Sequence, residues 1–369
     1  MKRLCFCVVV LFLFAAWFSS CSFDAENSLP YEPDLESERN EETPNLQPDE
    51  DGETSDEEGS SQEGDEKPEA KAAEFLYGKF ISETKIEFEF TFPVRVLSLS
   101  FEPPLEVDSV EDGNNVQVLL NQSAKPGKQF KVYIEVEDEW DNTIFVEKAL
   151  LAPNNRTPKL RINELRTEWS SATNRTEFIE FKILSDGNLG GLRVFAASNG
   201  ANPMIYQFSP VEVRAGDYVV LHLRTLEEDL AVSEYGDCLE ESMTRDSSPT
   251  ARDIWIPGST KLLRKTEEAV YVMDPKENVL DAVMLSDNHN AEWRRVFLAE
   301  AARFLFEKGA WSSPEGEVSR PLDAVNTSGI GTSLTRSVSR DETAENAGNA
   351  TNWYITSVGG ATPGLPNRL

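Results

Sequence analysis

Few residues in this sequence have the type and spacing that catalysis needs. Its two histidines are His222, inside the apolar run Tyr218-Val219-Val220-Leu221-His222, and His289, in the polar stretch Asp287-Asn288-His289-Asn290. Neither has a second histidine at ligand spacing, so zinc sites and histidine-dependent triads lack parts. There is no glycine-rich loop ending in lysine to cradle phosphates, and no His-Glu-x-x-His. Three carboxylates, Glu164, Glu177 and Glu180, fall in strand-like runs. Two of them ~5–9 Å apart beside a cleft would suit hydrolysis; otherwise they face out of a sheet or satisfy backbone groups near its edge. The second reading is adopted, so no catalytic residue is assigned and an enzyme is not expected. Glu137, Asp138 and Asp141 offer either a weak Ca²⁺ site or an Asx-rich turn, and the turn is preferred. No other metal or cofactor is expected.

The cysteines point elsewhere. Cys5 and Cys7 lie in an apolar leader, Lys2-Arg3 followed by Leu4 to Phe18. That run is shorter than the ~20 residues a membrane-spanning helix needs, and it fits a secretory signal. Ser19-Ser20-Cys21 resembles the bacterial lipobox, with Phe18 where leucine is usual. The resemblance implies lipidation at Cys21, palmitate among the acyl chains, and a membrane anchor. Ordinary signal cleavage or a retained anchor are the alternatives. With Cys21 lipidated, Cys238 has no disulfide partner.

Charge is the other strong signal. The chain of 369 residues carries a net charge of −30, concentrated in residues 24–74. Runs such as Ser55-Asp56-Glu57-Glu58-Gly59 bury too little apolar surface to offset the entropy of ordering. This predicts an extended, disordered tether over 21–74, behind a signal peptide at 1–20. So acidic a chain repels phosphate backbones, which argues against nucleic acid.

The elements that must position everything else begin at Phe75. Lys85-Ile86-Glu87-Phe88-Glu89-Phe90 alternates polar and apolar, as do Asn115-Val116-Gln117-Val118 and Phe130-Lys131-Val132-Tyr133-Ile134. Turn signals at Pro103-Pro104, Asp112-Gly113 and Pro126-Gly127 separate these strands. A first small β-sandwich is expected over 75–155. Val136-Glu137-Asp138-Glu139-Trp140-Asp141-Asn142 resembles the strand-end motif of bacterial immunoglobulin-like repeats, with Asp141 where that family has glycine.

A second pattern runs over 159–369. Leu160-Arg161-Ile162-Asn163-Glu164, Glu177-Phe178-Ile179-Glu180-Phe181, Leu189-Gly190-Gly191-Leu192 and Gly216-Asp217-Tyr218-Val219-Val220 follow in order. Val279-Leu280-Asp281-Ala282-Val283, Ser333-Leu334-Thr335-Arg336, Trp353 and Thr362-Pro363-Gly364 come after. This order resembles the lamin tail domain, an immunoglobulin-like sandwich without an activity of its own, found in nuclear lamins and in bacterial exported proteins. Two insertions depart from it, at 226–260 and 288–330. Within the latter, residues 290–310 read as an amphipathic helix capped by Asn290 and ended by Gly309, with Trp293, Phe297 and Phe304 on its apolar stripe. That helix either covers an open edge of the sandwich or offers these three residues to a partner or membrane.

The sequence therefore predicts an all-β protein: two immunoglobulin-like sandwiches in tandem, one helix inserted in the second, after a disordered acidic tether. The function implied is a non-catalytic, lipid-anchored protein of the bacterial cell envelope, at the outer membrane or the periplasmic face, presenting binding domains to protein or glycan partners. An accessory docking subunit for a separate envelope hydrolase is the alternative, and a hydrolase using the strand carboxylates is a third.

Overall fold

A computed structural model of the protein describes residues 71–345 and 348–368. Cys21, the leader and all but the end of the acidic tether lie outside the described residues. The first strands are β1 (Phe75–Ser82), β2 (Lys85–Glu102), β3 (Val107–Glu111), β4 (Gly113–Leu120), β5 (Gln129–Asp138) and β6 (Thr143–Leu151). They are ordered β3-β4-β2-β5-β6, with β1 beside β2. The first half of β2 pairs with β1 and β4, and its second half pairs with β5 from Val94 onward. Pro93 sits between the halves; lacking an N–H, it interrupts the ladder where the strand passes from one layer to the other. Alternate residues Ile86, Phe88, Val116, Val118, Val132, Ile134 and Val136 are fully buried between the layers. The fold already includes Ala73, one residue inside the tether expected from sequence: it is buried, and its N–H donates to Asp138 (3.0 Å).

The second region continues with β7 (Leu160–Arg166), β8 (Phe178–Ile183), β9 (Gly187–Asn188), β10 (Arg193–Ala196), β11 (Met204–Gln207), β12 (Glu212–Val213) and β13 (Tyr218–His222). Then come β14 (Arg252–Trp255), β15 (Glu267–Met273), β16 (Val279–Ser286), α1 (Val296–Glu307), β17 (Val325–Asn326), β18 (Val338–Arg340) and β19 (Trp353–Ile355). One sheet is ordered β14-β13-β8-β7-β18-β19 and the other β11-β10-β15-β16-β17. They bury a common core that includes Ile162, Leu165, Ile179, Phe181, Val194, Leu221, Val272 and Val283. The all-β prediction with a single inserted α-helix holds. The pairing is not wholly antiparallel, because β13–β14 and β16–β17 are parallel. A parallel neighbour needs a long crossover, and the inserted segments 226–260 and 288–330 supply it in the two cases.

Two hairpins share one turn. At β5–β6, Asp138 accepts the N–H groups of Trp140 and Asn142 (both 2.9 Å), and Asp141 takes φ 62°. At β15–β16, Asp274 accepts those of Lys276 (2.8 Å) and Asn278 (2.9 Å), and Glu277 takes φ 66°. The Asx-rich turn is therefore the arrangement at Glu137–Asp141. Burial pushes the Asp138 carboxyl up, but the Asn142 side chain and three backbone N–H groups outweigh it and hold the group down at about 2.

Helix α1 differs from its prediction. Asn288 and Asn290 form a polar turn, with the Asn290 N–H donating to Asn288, and the Arg294 N–H donates to Glu267. These bonds hold the chain on a bent, non-helical path, so the helix starts at Val296 rather than near Asn290. Leu298, Ala301, Ala302 and Leu305 are buried. Phe304 packs 5.8 Å from Tyr271, which itself stacks on Phe195. In β15 Tyr271 alternates with the core-facing Val270 and Val272, so the helix covers the outer face of that sheet and not an edge.

The sandwiches meet at backbone. A Cβ added to Gly190 would lie 1.9 Å from the carbonyl oxygen of Pro126, which no side chain tolerates. Asn154, in the connection between the sandwiches, donates to the carbonyls of Asn188 (2.7 Å) and Gly190 (2.9 Å).

Two substitutions test these readings. Gly190 has no unusual backbone angle, so Gly190→Ala isolates the contact and is expected to lower stability by about 1–3 kcal/mol in denaturant melts. Glu277→Gly removes a non-glycine residue from the left-handed region and is expected to raise stability by up to about 1 kcal/mol.

Candidate functional site

The sheet carrying β7, β8 and β13 is buried on both sides. Its inner residues face the core. Its outer residues Glu164, Arg166, Phe178, Glu180, Tyr218, Val220 and His222 are also buried. Residues 242–251 and 361–367 roof this outer face, and with it most of the ionisable groups that sequence reading singled out.

At one end, Glu164 and Glu180 are directly opposed on antiparallel strands, so their carboxylates share a face. Glu164 accepts hydrogen bonds from Ser337 Oγ, from Ser339 Oγ (3.2 Å) and from the Thr362 N–H (3.0 and 3.1 Å). Glu180 accepts from Asn163 Nδ2 (2.8 Å) and the Gly364 N–H (2.6 Å). Glu342 completes the group, accepting from Lys182, Asn163, the Tyr218 hydroxyl and the Asn367 N–H. Burial raises the Glu164 carboxyl, and burial plus the Glu164 charge raises Glu180 well above the ordinary range. Burial also pushes Glu342 up, but its bonds from Lys182, Asn367, Asn163 and Tyr218 prevail and hold it below. The roof meets the carboxylates through Thr362-Pro363-Gly364. The Leu365 N–H closes a turn onto the Thr362 carbonyl (2.9 Å), and Gly364 takes φ 77°, the type II geometry those residues predict.

At the other end, Asp246 accepts from Arg166, from Arg175 (3.1 Å) and from the Thr176 N–H (2.7 Å). His222 lies between Thr176 Oγ1 (3.3 Å from Nδ1) and Asp253 Oδ1 (2.7 Å from Nε2). Hydroxyl, imidazole and carboxylate thus form a chain, but the two ring nitrogens are exchanged relative to a hydrolytic triad, in which Nε2 faces the hydroxyl, and Thr176 Oγ1 also donates to Asp246 (3.3 Å). All three residues are buried, the ring stacks on Trp255 at 3.7 Å, and Asp253 also accepts the Ser248 N–H (2.7 Å). Glu177 pairs with Arg224, whose guanidinium lies 3.8 Å over Trp169. Burial raises Glu177.

Across this region, residues 158–355 match the family model TP_1001_2nd, described as "protein second domain". The match covers more than half of the chain. The chain belongs to this family. The matched TP_1001_2nd region takes in both sheets and α1, and ends before the 361–367 roof. An "Uncharacterized protein" of Treponema pallidum (strain Nichols) is 27% identical over 172 residues, 43% of this chain and 42% of that protein. The chain thus spans less than half of that relative's length. Two solved structures superpose poorly. One is the N-terminal part of the bacterial S-layer protein SbsC: TM-score 0.21, 12% identity, 58% of this chain and 43% of that one. The other is a DUF4876 family protein from Bacteroides thetaiotaomicron VPI-5482: TM-score 0.25, 10% identity, 72% of this chain and 88% of that one.

The remaining sequence candidates are placed as follows. Trp293, Phe297 and Phe304 do not form an outward stripe: all three are half-buried against the core, and Trp293 precedes the helix and donates to the Ser319 carbonyl (3.0 Å). The outward side of α1 carries Val296 and Phe306 instead. Cys238 is a half-buried free thiol in the 226–260 insertion. Glu164 and Glu180 lie on the outer face of the sheet and Glu177 just before β8; all three satisfy backbone or charged groups, but the roof keeps them from water. Among the described residues no group of three or more His, Cys, Asp or Glu side chains is placed to hold a metal ion.

Arg224→Leu leaves Glu177 charged, buried and unpaired, with an expected loss of about 3–5 kcal/mol in chemical denaturation. Replacing both partners by leucine removes the unpaired charge and should recover part of that loss.

Proposed function

We propose that the chain is a non-catalytic cell-envelope protein, held to a membrane by lipid at Cys21, whose β-sandwiches serve as binding modules for protein or glycan partners. The observation that carries this reading is the fate of the ionisable residues. The carboxylates and the histidine that offered catalysis lie under a roof, with their hydrogen bonds made to backbone and to neighbouring side chains. A reacting group needs an open approach and a poised proton; these groups are arranged to hold two long segments in place.

The lamin-tail resemblance belongs to the same proposal. The Thr362-Pro363-Gly364 turn, Trp353 and the Ile162-Asn163-Glu164 strand are the residues that carry it, and the resemblance supports a binding role over a catalytic one. Nucleic acid is not among the expected partners, on the grounds of charge. Among the described residues no helix is long and apolar enough to cross a membrane, so the proposed anchor is the acylated cysteine.

Expression of the full chain in a bacterial host with labelled palmitate tests the anchor. The wild type is expected to carry label and partition into detergent, and Cys21→Ser to lose both properties. Turnover of ester or glycoside substrates that disappears in Glu164→Gln or His222→Ala would sink the non-catalytic reading.

A further inference from the structure

We infer that the facing pair Glu164 and Glu180 is a proton-binding site that latches segment 361–367 onto the sheet, and that loss of its proton releases the segment. This latch does not depend on the proposed binding role.

The pair is fully buried and cross-strand, so its two charges oppose each other at short range with little water between them. No cation is dedicated to it. On the same strands, Arg166 is paired with Asp246 and Lys182 with Glu342. At the end of β18, Arg340 is paired with Asp281, and Glu342 just beyond it adds a third negative charge. Arg161 donates to the Glu342 carbonyl, the Tyr218 hydroxyl to the Glu342 carboxylate, and the Tyr354 hydroxyl to the Arg368 carbonyl. Arg368 itself is exposed. What faces the pair directly is neutral: Asn163, Ser337, Ser339 and the Thr362 and Gly364 amides. Two buried carboxylates so placed hold one proton between them rather than ionise together.

The sign of the coupling follows from the same geometry. Burial is the largest influence on both groups and outweighs the Thr362 and Gly364 amides, which favour the charged forms; segment 361–367 is part of what buries them. Lifting the segment readmits water and returns both groups toward their ordinary range, so the open form holds the proton less tightly. Rising pH therefore favours opening. The same linkage acts on the whole fold. Because the folded-state values lie above the unfolded ones, the pair's contribution to stability is complete below the unfolded glutamate range. It is lost as pH rises through the folded values.

Hydrogen exchange on the full chain tests this, with rates corrected for intrinsic pH dependence. Protection of the Thr362 and Gly364 amides is expected to fall about tenfold per pH unit once the pair begins to ionise, above the ordinary glutamate range. Val219 and Val272 in the core, which exchange only on global unfolding, should stay far better protected than these amides at every pH. Glu180→Gln keeps an acceptor for the Gly364 N–H but cannot ionise, and should hold the segment closed to pH 9. A purely structural role for Glu180 would not remove the pH dependence. A flat profile in the wild type, or a wild-type profile in Glu180→Gln, overturns the inference. Should Glu180→Gln fail to fold, carbon-13 NMR of glutamate carboxyls in the wild type decides. One carboxyl titrating well above the rest supports the site, and all titrating below pH 5 overturns it.

Discussion

The second domain is organised by the need to satisfy a polar surface from which water is excluded. A sheet in a two-layer sandwich ordinarily keeps one face in water, and its outward residues can be charged at no cost. Here the outward face of β7, β8 and β13 is covered, and each charged group on it would be destabilising without a partner. The roof segments supply those partners. Asp246 and Asp253 come from the 226–260 insertion to meet Arg166 and His222. Thr362, Gly364 and Asn367 bring backbone amides from the C-terminal end to meet Glu164, Glu180 and Glu342. The insertion and the C-terminal turn are thus parts of the domain's polar interior rather than ornaments on its surface.

Groups that look catalytic from a distance are tied into this covered network. Thr176, His222 and Asp253 line up as hydroxyl, ring and carboxylate, yet the ring stacks on Trp255 and Asp253 also accepts the Ser248 N–H. Covered networks of this kind tolerate partial loss poorly, because each removed partner leaves another group unsatisfied. They also specify one arrangement of the covering segments, since hydrogen-bond geometry selects among packings that apolar contacts alone would allow.

The strands were legible in the sequence because alternation and turn residues are local. Phe88, Val116 and Ile134 face the first core as their period-two pattern requires, and Gly364 takes the angle its Pro-Gly turn demands. The position of Asp141 was legible in part: the resemblance expected glycine there, and the backbone is left-handed. The roof was not legible. Its contacts join residues such as Glu164 and Thr362, which lie 198 positions apart, and no local pattern encodes that distance. The burial of Glu164 and Glu180 was missed for the same reason, although their outward orientation was legible: a carboxylate on an alternating strand signals water unless a remote segment arrives. The start of α1 was misplaced because a tertiary bond from the Arg294 amide to Glu267 overrode the amphipathic period.

The contact between Gly190 and the Pro126 carbonyl has a mechanical meaning. Two modules joined by a plain linker swivel freely, and each searches for its target alone. Backbones pressed together without intervening side chains, and stitched by Asn154, leave no slack for such swivelling. Torque applied to one module passes directly to the other.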